Sequence, residues 1–306
     1  MPDQNLAEAT PGIHSRLLSD VQDQNLELPT LPESNARIEA ITAREAVNLR
    51  EFSQVVAQDP GLACKLLHIA NSAHHSVSRP VGSISLAIKQ LGLRYASELA
   101  AGLSNQLVFQ PTNEMIERRY RMAVADSTYV AAAAAVLARN YTELSSERAR
   151  LAGLVHNIGA YPILAKAEYE NFTDTFALQD IVETVQIVLS AAILKRWNLP
   201  KEIVDIPTLL KSYTRSSSKF ELVDLVVAGS VLNSFFNHEE VAHSKDSGLG
   251  KADARAPVMP QSLSLLIYEI AGFDPLSNVA QVQLLREEIA REQQADERQV
   301  IQFRPD

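Results

Sequence analysis

Residues 145–164 read SSERARLAGLVHNIGAYPIL, and this stretch decides the fold. Ser145, Ser146 and Glu147 form a helix-start signature, in which a hydroxyl accepts from the free amides of a first turn and the acid favours its positive end. The apolar run LAGLVHNIG, Leu151 to Gly159, continues from that cap and is the most informative segment of the chain. Upstream lies a long Ala-rich helix, roughly Met115 to Asn140. Its five consecutive alanines, Ala131 to Ala135, permit a neighbouring helix to approach closely. Downstream, helices are expected over Asp180 to Trp197 and Phe220 to Phe236, with LPKEIVDIPTLL between them.

The same period governs the first third of the chain. Asp59 before Pro60 predicts a helix start, since Asp caps the first turn and Pro sits where no amide donor is needed. The helix runs to Ala70, a second spans Ser83 to Leu91 before Gly92, and a third carries Leu93, Ala96, Leu99, Ala100, Leu103 and Leu107 and stops before Pro111. Alternation of strand type is absent over any convincing length. The reading is an all-α protein. Its expected parts are a polar lead-in over 1–25, an N-terminal helical subdomain over 26–112, a second helical subdomain over 113–237, a flexible linker over 238–261 and C-terminal helices with a tail over 262–306. The linker is the one clear composition break, rich in Ser, Gly, Ala and charge.

Composition narrows the function. A chain of 306 residues with 46% hydrophobic and 21% charged residues can bury a sizeable core without disulfide or metal. Cys64 stands alone, which excludes an intramolecular disulfide and a Cys-based metal cluster and fits a reducing cytoplasm. Lys and Arg number 28 against 37 Asp and Glu, so the net charge of −9 repels nucleic acid and anionic membranes alike. No signal peptide is read at the start, and the longest apolar stretch, Tyr129 to Ala138, is too short to cross a membrane. The expectation is a cytoplasmic protein with no nucleic-acid or membrane partner.

Several motifs occur in one order: Leu28-Pro29 with Leu31-Pro32, Val55-Val56-Ala57-Gln58-Asp59-Pro60, Leu66-Leu67-His68-Ile69-Ala70-Asn71-Ser72, and Ile84 to Gly92 (ISLAIKQLG). Gly153-Leu154-Val155-His156-Asn157-Ile158-Gly159 and Trp197-Asn198-Leu199-Pro200 follow. As an ordered set covering about two thirds of the chain, they resemble the HDOD domain, an all-helical bacterial signalling module related to HD phosphohydrolases. The resemblance implies an N-terminal helical subdomain packed on a degenerate HD-like one, working through a protein partner.

Enzymes of the HD group hold divalent metal with an early His, an adjacent His-Asp pair and a later Asp. Here His156 matches the His of the pair, but Asn157 follows it, a neutral amide without the anionic oxygen that a hard cation prefers. Asp126 stands where the early His would fall. No histidine lies between His156 and His238, and near the expected later Asp the chain reads Ala228-Gly229-Ser230, with Asp224 a turn too early. The resemblance therefore leaves a vestigial position, Asp126, His156 and Asn157, with no catalytic residue, metal or cofactor assigned. By general burial grounds His156 is a histidine at the edge of a core, bonded to a carbonyl or to Asn157.

Other constellations are weaker. Arg118, Arg119 and Arg121 make the densest basic cluster and could bind an anion, but Glu114 and Glu117 interleave with them, as on a solvated helix face. His68, His74 and His75 lack a carboxylate spaced to complete a metal set. Gly248-Leu249-Gly250-Lys251 misses the phosphate-loop spacing, and Tyr161-Pro162 after Gly159-Ala160 resembles the GYP signature of cyclic-di-GMP phosphodiesterases without their metal residues. Cys64 reads as a small buried residue. The expected function is a non-catalytic regulatory module, with a divergent metal-dependent phosphohydrolase and a cyclic-di-GMP sensor as alternatives. The partner, the pathway and the oligomeric state are not written in the sequence.

Overall fold

The computed structural model describes residues 16–17, 19–21, 26–44, 47–72, 80–106, 108–210, 220–243 and 279–301. Helices dominate them, and among the described residues the only strand-like pairing is one bridge between Thr30 and Val108. The first group is α1 (Pro32–Thr42), α2 (Leu49–Val56), α3 (Pro60–Ala70), α4 (Ile84–Leu91) and α5 (Leu93–Gln106). The second is α6 (Glu114–Tyr141), α7 (Ser146–Val155), α8 (Ala160–Tyr169), α9 (Thr175–Arg196), the short α10 (Lys201–Val204) and α11 (Ile206–Leu209), and α12 (Leu222–His243). α13 (Val279–Ile301) follows.

Local chemistry starts these helices where it should. Asp59 accepts from the Leu62 amide at 2.8 Å with Pro60 in the first turn, and Asn48, Ser83, Asn113 and Ser145 cap α2, α4, α6 and α7 in the same way. Such caps contribute about 1 kcal/mol each. α9 begins earlier than the apolar period suggests, at Thr175, because the Asp174 carboxylate accepts from the amides of Phe176 and Ala177, both at 3.0 Å. α12 continues past the expected end at Phe236 to His243, and α13 reaches Ile301. The stretch 244–278, with most of the expected linker and the helix start at Ser262, lies outside the described residues.

One hydrophobic core joins both groups, running from Leu17 and Val21 of the lead-in to Leu285 and Ile289 of α13. Its centre is the α6–α7 contact. Ala131 to Ala138 are all within 2% of complete burial, and a Cβ added at Gly153 of α7 would sit 2.7 Å from the Ala131 backbone. The alanine run and the glycine thus act together: each removes the bulk that would hold two backbones apart. α6 and α9 are long and apolar enough to cross a membrane by length and composition alone, and 56% and 44% of those apolar windows are buried inside the protein.

The two groups are also tied by polar contacts. The Phe109 amide donates to the Thr30 carbonyl at 2.7 Å, and the buried Tyr120 hydroxyl donates to the Pro29 carbonyl. Within the first group, Lys65 of α3 donates from Nζ to the Leu28 carbonyl at 2.7 Å, holding the segment that carries Pro29 and Thr30.

Candidate functional site

α7 ends at Val155, and residues His156 to Gly159 turn the chain towards α8. Gly159 is required at this turn, because a Cβ there would meet the Gln186 carbonyl oxygen at 2.4 Å and the Ser190 nitrogen at 2.7 Å. Its amide donates to Ser190 Oγ at 2.8 Å, docking the turn on α9. That docking places His156 and Asn157 beside Asp126 of α6.

His156 Nδ1 lies 2.6 Å from the Gly153 carbonyl, and because a carbonyl only accepts, Nδ1 carries the proton. Nε2 then faces Asp126 Oδ2 at 3.3 Å. Asn157 donates from Nδ2 to the same oxygen at 3.2 Å, and Asn233 of α12 donates to Asp126 Oδ1 at 2.7 Å. Burial pushes the Asp126 carboxyl up, but the hydrogen bond and charge of His156, with the amides of Asn233 and Asn157, outweigh it and hold the group below its usual range. Asp126 is a carboxylate at neutral pH.

A second tier supports the first. Ser127 Oγ donates to Asn157 Oδ1 at 2.5 Å and lies 2.7 Å from the Tyr161 hydroxyl, which also donates to the Ala123 carbonyl at 3.2 Å. Ser127 and Tyr161 are completely or almost completely buried. The Ser127 bond fixes the Asn157 amide, turning its N–H groups towards Asp126.

The structure brings together all three vestigial residues that the resemblance singles out, with His156 on a carbonyl as its burial suggests. The site also contains Asn233, Ser127 and Tyr161, which the sequence reading did not place there. Asn233 lies one turn beyond Gly229, and a search restricted to carboxylates passes over it. The signal available was an amide within the apolar stretch LVVAGSVLN.

These residues do not fit the metal group of HD enzymes. Hard divalent cations take several oxygen donors, whereas Asn157 and Asn233 point N–H groups at Asp126. Among the described residues no group of three or more His, Cys, Asp or Glu could hold a metal ion. The arrangement can keep a partly exposed carboxylate ionised and lock three helices together.

The other motif residues have structural duties. His68 of α3 stacks on Trp197, with ring centroids 5.2 Å apart. Asn71 receives the Val81 amide at 2.7 Å, and Asn198, at φ +55°, donates to the Asn71 carbonyl at 3.3 Å. His74 and His75 lie outside the described residues. Burial, followed by the Asp59 charge, pushes the Cys64 thiol far up, which makes it inert as a nucleophile.

The basic cluster does not converge. Arg119 turns to Gln179 and the Thr175 carbonyl of α9, while Arg121 is held by Glu33 and Glu117. Arg118 and Arg121 line an open surface cleft together with Glu114 and Glu117. Arg119 therefore points away from the face that Arg118 and Arg121 share with the two acids.

Comparison with known proteins agrees with this architecture. The chain is 25% identical over 208 residues to an uncharacterized protein of Treponema pallidum (strain Nichols), covering 62% of this chain. It spans 39% of the length of that relative. The fold is similar to that of the MmoQ response regulator of Methylococcus capsulatus str. Bath, with a TM-score of 0.59 and 19% identity over 84% of this chain and 97% of that one. A virulence factor of Campylobacter jejuni subsp. jejuni is similar at a TM-score of 0.53 and 15% identity, covering 93% of this chain and 96% of that one. The family model of the HDOD domain matches residues 28–211, and with the ordered motifs lodged at the joints of an all-helical fold, the chain belongs to the HDOD family.

Proposed function

We propose that this HDOD protein is a non-catalytic signal-transduction regulator of bacteria, acting in the cytoplasm through contact with a partner protein. One observation carries the reading: Asp126, His156, Asn157 and Asn233 are engaged by one another and by the Gly153 carbonyl and Ser127. A hydrolytic centre needs an open position for substrate or activated water. Here the one carboxylate at the vestigial position is contacted by His156 and Asn157 from the turn after α7 and by Asn233 from α12. Membership of a signalling family supports the regulatory role.

The test is turnover. Purified full-length protein is incubated with phosphomonoesters and cyclic dinucleotides in the presence of Mn²⁺ or Mg²⁺. No hydrolysis above that of His156→Ala is expected. Hydrolysis that depends on His156 would overturn the reading in favour of a divergent phosphohydrolase.

A further inference from the structure

α9 carries apolar residues on every side, a pattern that ordinarily goes with burial from all directions, yet only 44% of its apolar stretch is buried. Its inner side carries Ile181, Val185, Leu189 and Ile193, all in the core. On the outer side lie Thr184, Ile187, Val188 and Ala191, at the i, i+3, i+4 and i+7 spacing of one helix face. Thr184 is exposed, Ile187 and Ala191 are half-buried, and Val188 is 49% exposed. Phe176, at the head of the same face, is 85% exposed.

Charges bracket this stripe. Asp180 stands one turn before Thr184 and Lys195 one turn after Ala191; both are exposed, and neither forms an ion pair among the described residues. At 1.5 Å per residue they stand about 22 Å apart along the axis, too far to pair within one copy. Glu183, beside the stripe, is engaged by Gln179.

An apolar stripe with its acid at one end and its base at the other is complementary to its own reverse. A two-fold axis between Ile187 and Val188 sets two such helices antiparallel, with Ile187 against Val188, Thr184 against Ala191 and Asp180 against Lys195, each pair occurring twice. Thr184 and Ala191 are small and let the two backbones come near. Phe176 then falls at the C-terminal end of the other α9.

We propose that this face of α9 is the interface of a two-fold, antiparallel homodimer. The occupant is a second copy of this chain because the charge order of the stripe matches its own reverse. This goes beyond the regulatory reading above and stands whether or not the protein turns over a substrate.

Sedimentation equilibrium on the full chain tests it. Wild type should be a dimer at high micromolar concentration. Val188→Asp, Asp180→Lys and Lys195→Asp should each weaken dimerisation at least tenfold, since each change acts twice across a two-fold axis. Combining Asp180→Lys with Lys195→Asp restores opposite charges at both ends and should bring dimerisation back close to wild type. Arg94→Glu, on the exposed face of α5, leaves it unchanged. Circular dichroism shows that each variant is folded. A monomeric wild type, which would leave the face to a different protein, a dimer indifferent to Val188→Asp, or a double variant no tighter than either single one would overturn the proposal.

Discussion

Asp126 Oδ2 lies 3.3 Å from His156 Nε2 while the opposite ring nitrogen of His156 donates to the Gly153 carbonyl, so one imidazole links the middle of α6 to the last turn of α7. With Asn233 on the other carboxylate oxygen, the same group reaches α12. The position that corresponds to a metal centre in related enzymes is occupied here by hydrogen bonds between helices.

Replacing that carboxylate should therefore damage the fold. Asp126→Asn retains the shape but turns one oxygen into an N–H₂ group, which confronts donors from Asn157, Asn233 or His156. A loss of about 1–3 kcal/mol is expected, measured by urea denaturation at pH 7. Stability equal to wild type would show that the cluster is not a structural lock.

Close packing makes a graded prediction. Gly153→Ala drives a methyl group to 2.7 Å from the Ala131 backbone, whereas the nearest atoms around Gly229, from Ala133 and Val130, lie at 3.3 Å and need give way only by a few tenths of an ångström. Gly153→Ala should cost about 2–3 kcal/mol and Gly229→Ala clearly less. Thermal melts of the two variants side by side check the order, and a reversed order would contradict the packing described for α6 and α7.

The N-cap of α3 predicts an unusual pH response. Burial pushes the Asp59 carboxyl up to about 6, against the pull of the Leu62 amide and of Lys65. Its folded-state pKa lies above the unfolded one, so between about 4 and 6 the folded protein keeps a proton that the unfolded chain has lost. This contribution to stability is full below that window and disappears as pH rises through it. Asp59→Asn keeps an oxygen for the cap but cannot titrate. The stability difference between wild type and variant should shift by on the order of 1–3 kcal/mol from pH 4 to pH 7, in favour of the variant at the higher pH. Parallel denaturation curves across the window would contradict it.

Much of this was legible in the sequence because the signals were local. Asp59-Pro60, Ser145-Ser146-Glu147 and the alanine run state helix starts and close approach in single short segments, and the structure places helices at each. The start of α9 was less legible, since its cap at Asp174 precedes the apolar period by more than a turn. The site was half legible. Asp126, His156 and Asn157 follow from motif position, but Asn233 joins them only through the packing of α12 on α6. Arg118 and Arg121, three residues apart, share one face of α6 with Glu114 and Glu117, while Arg119 leaves α6 in another direction at about 100° per residue.

The most direct test of the central claim is elemental analysis of full-length protein purified without chelator. If Asp126, His156 and Asn157 form a hydrogen-bonded lock, Mn, Fe, Zn and Ni together should fall well below one atom per chain, with no difference between wild type and His156→Ala. A stoichiometric metal that disappears in His156→Ala would contradict the account and make the protein a metal-dependent enzyme candidate.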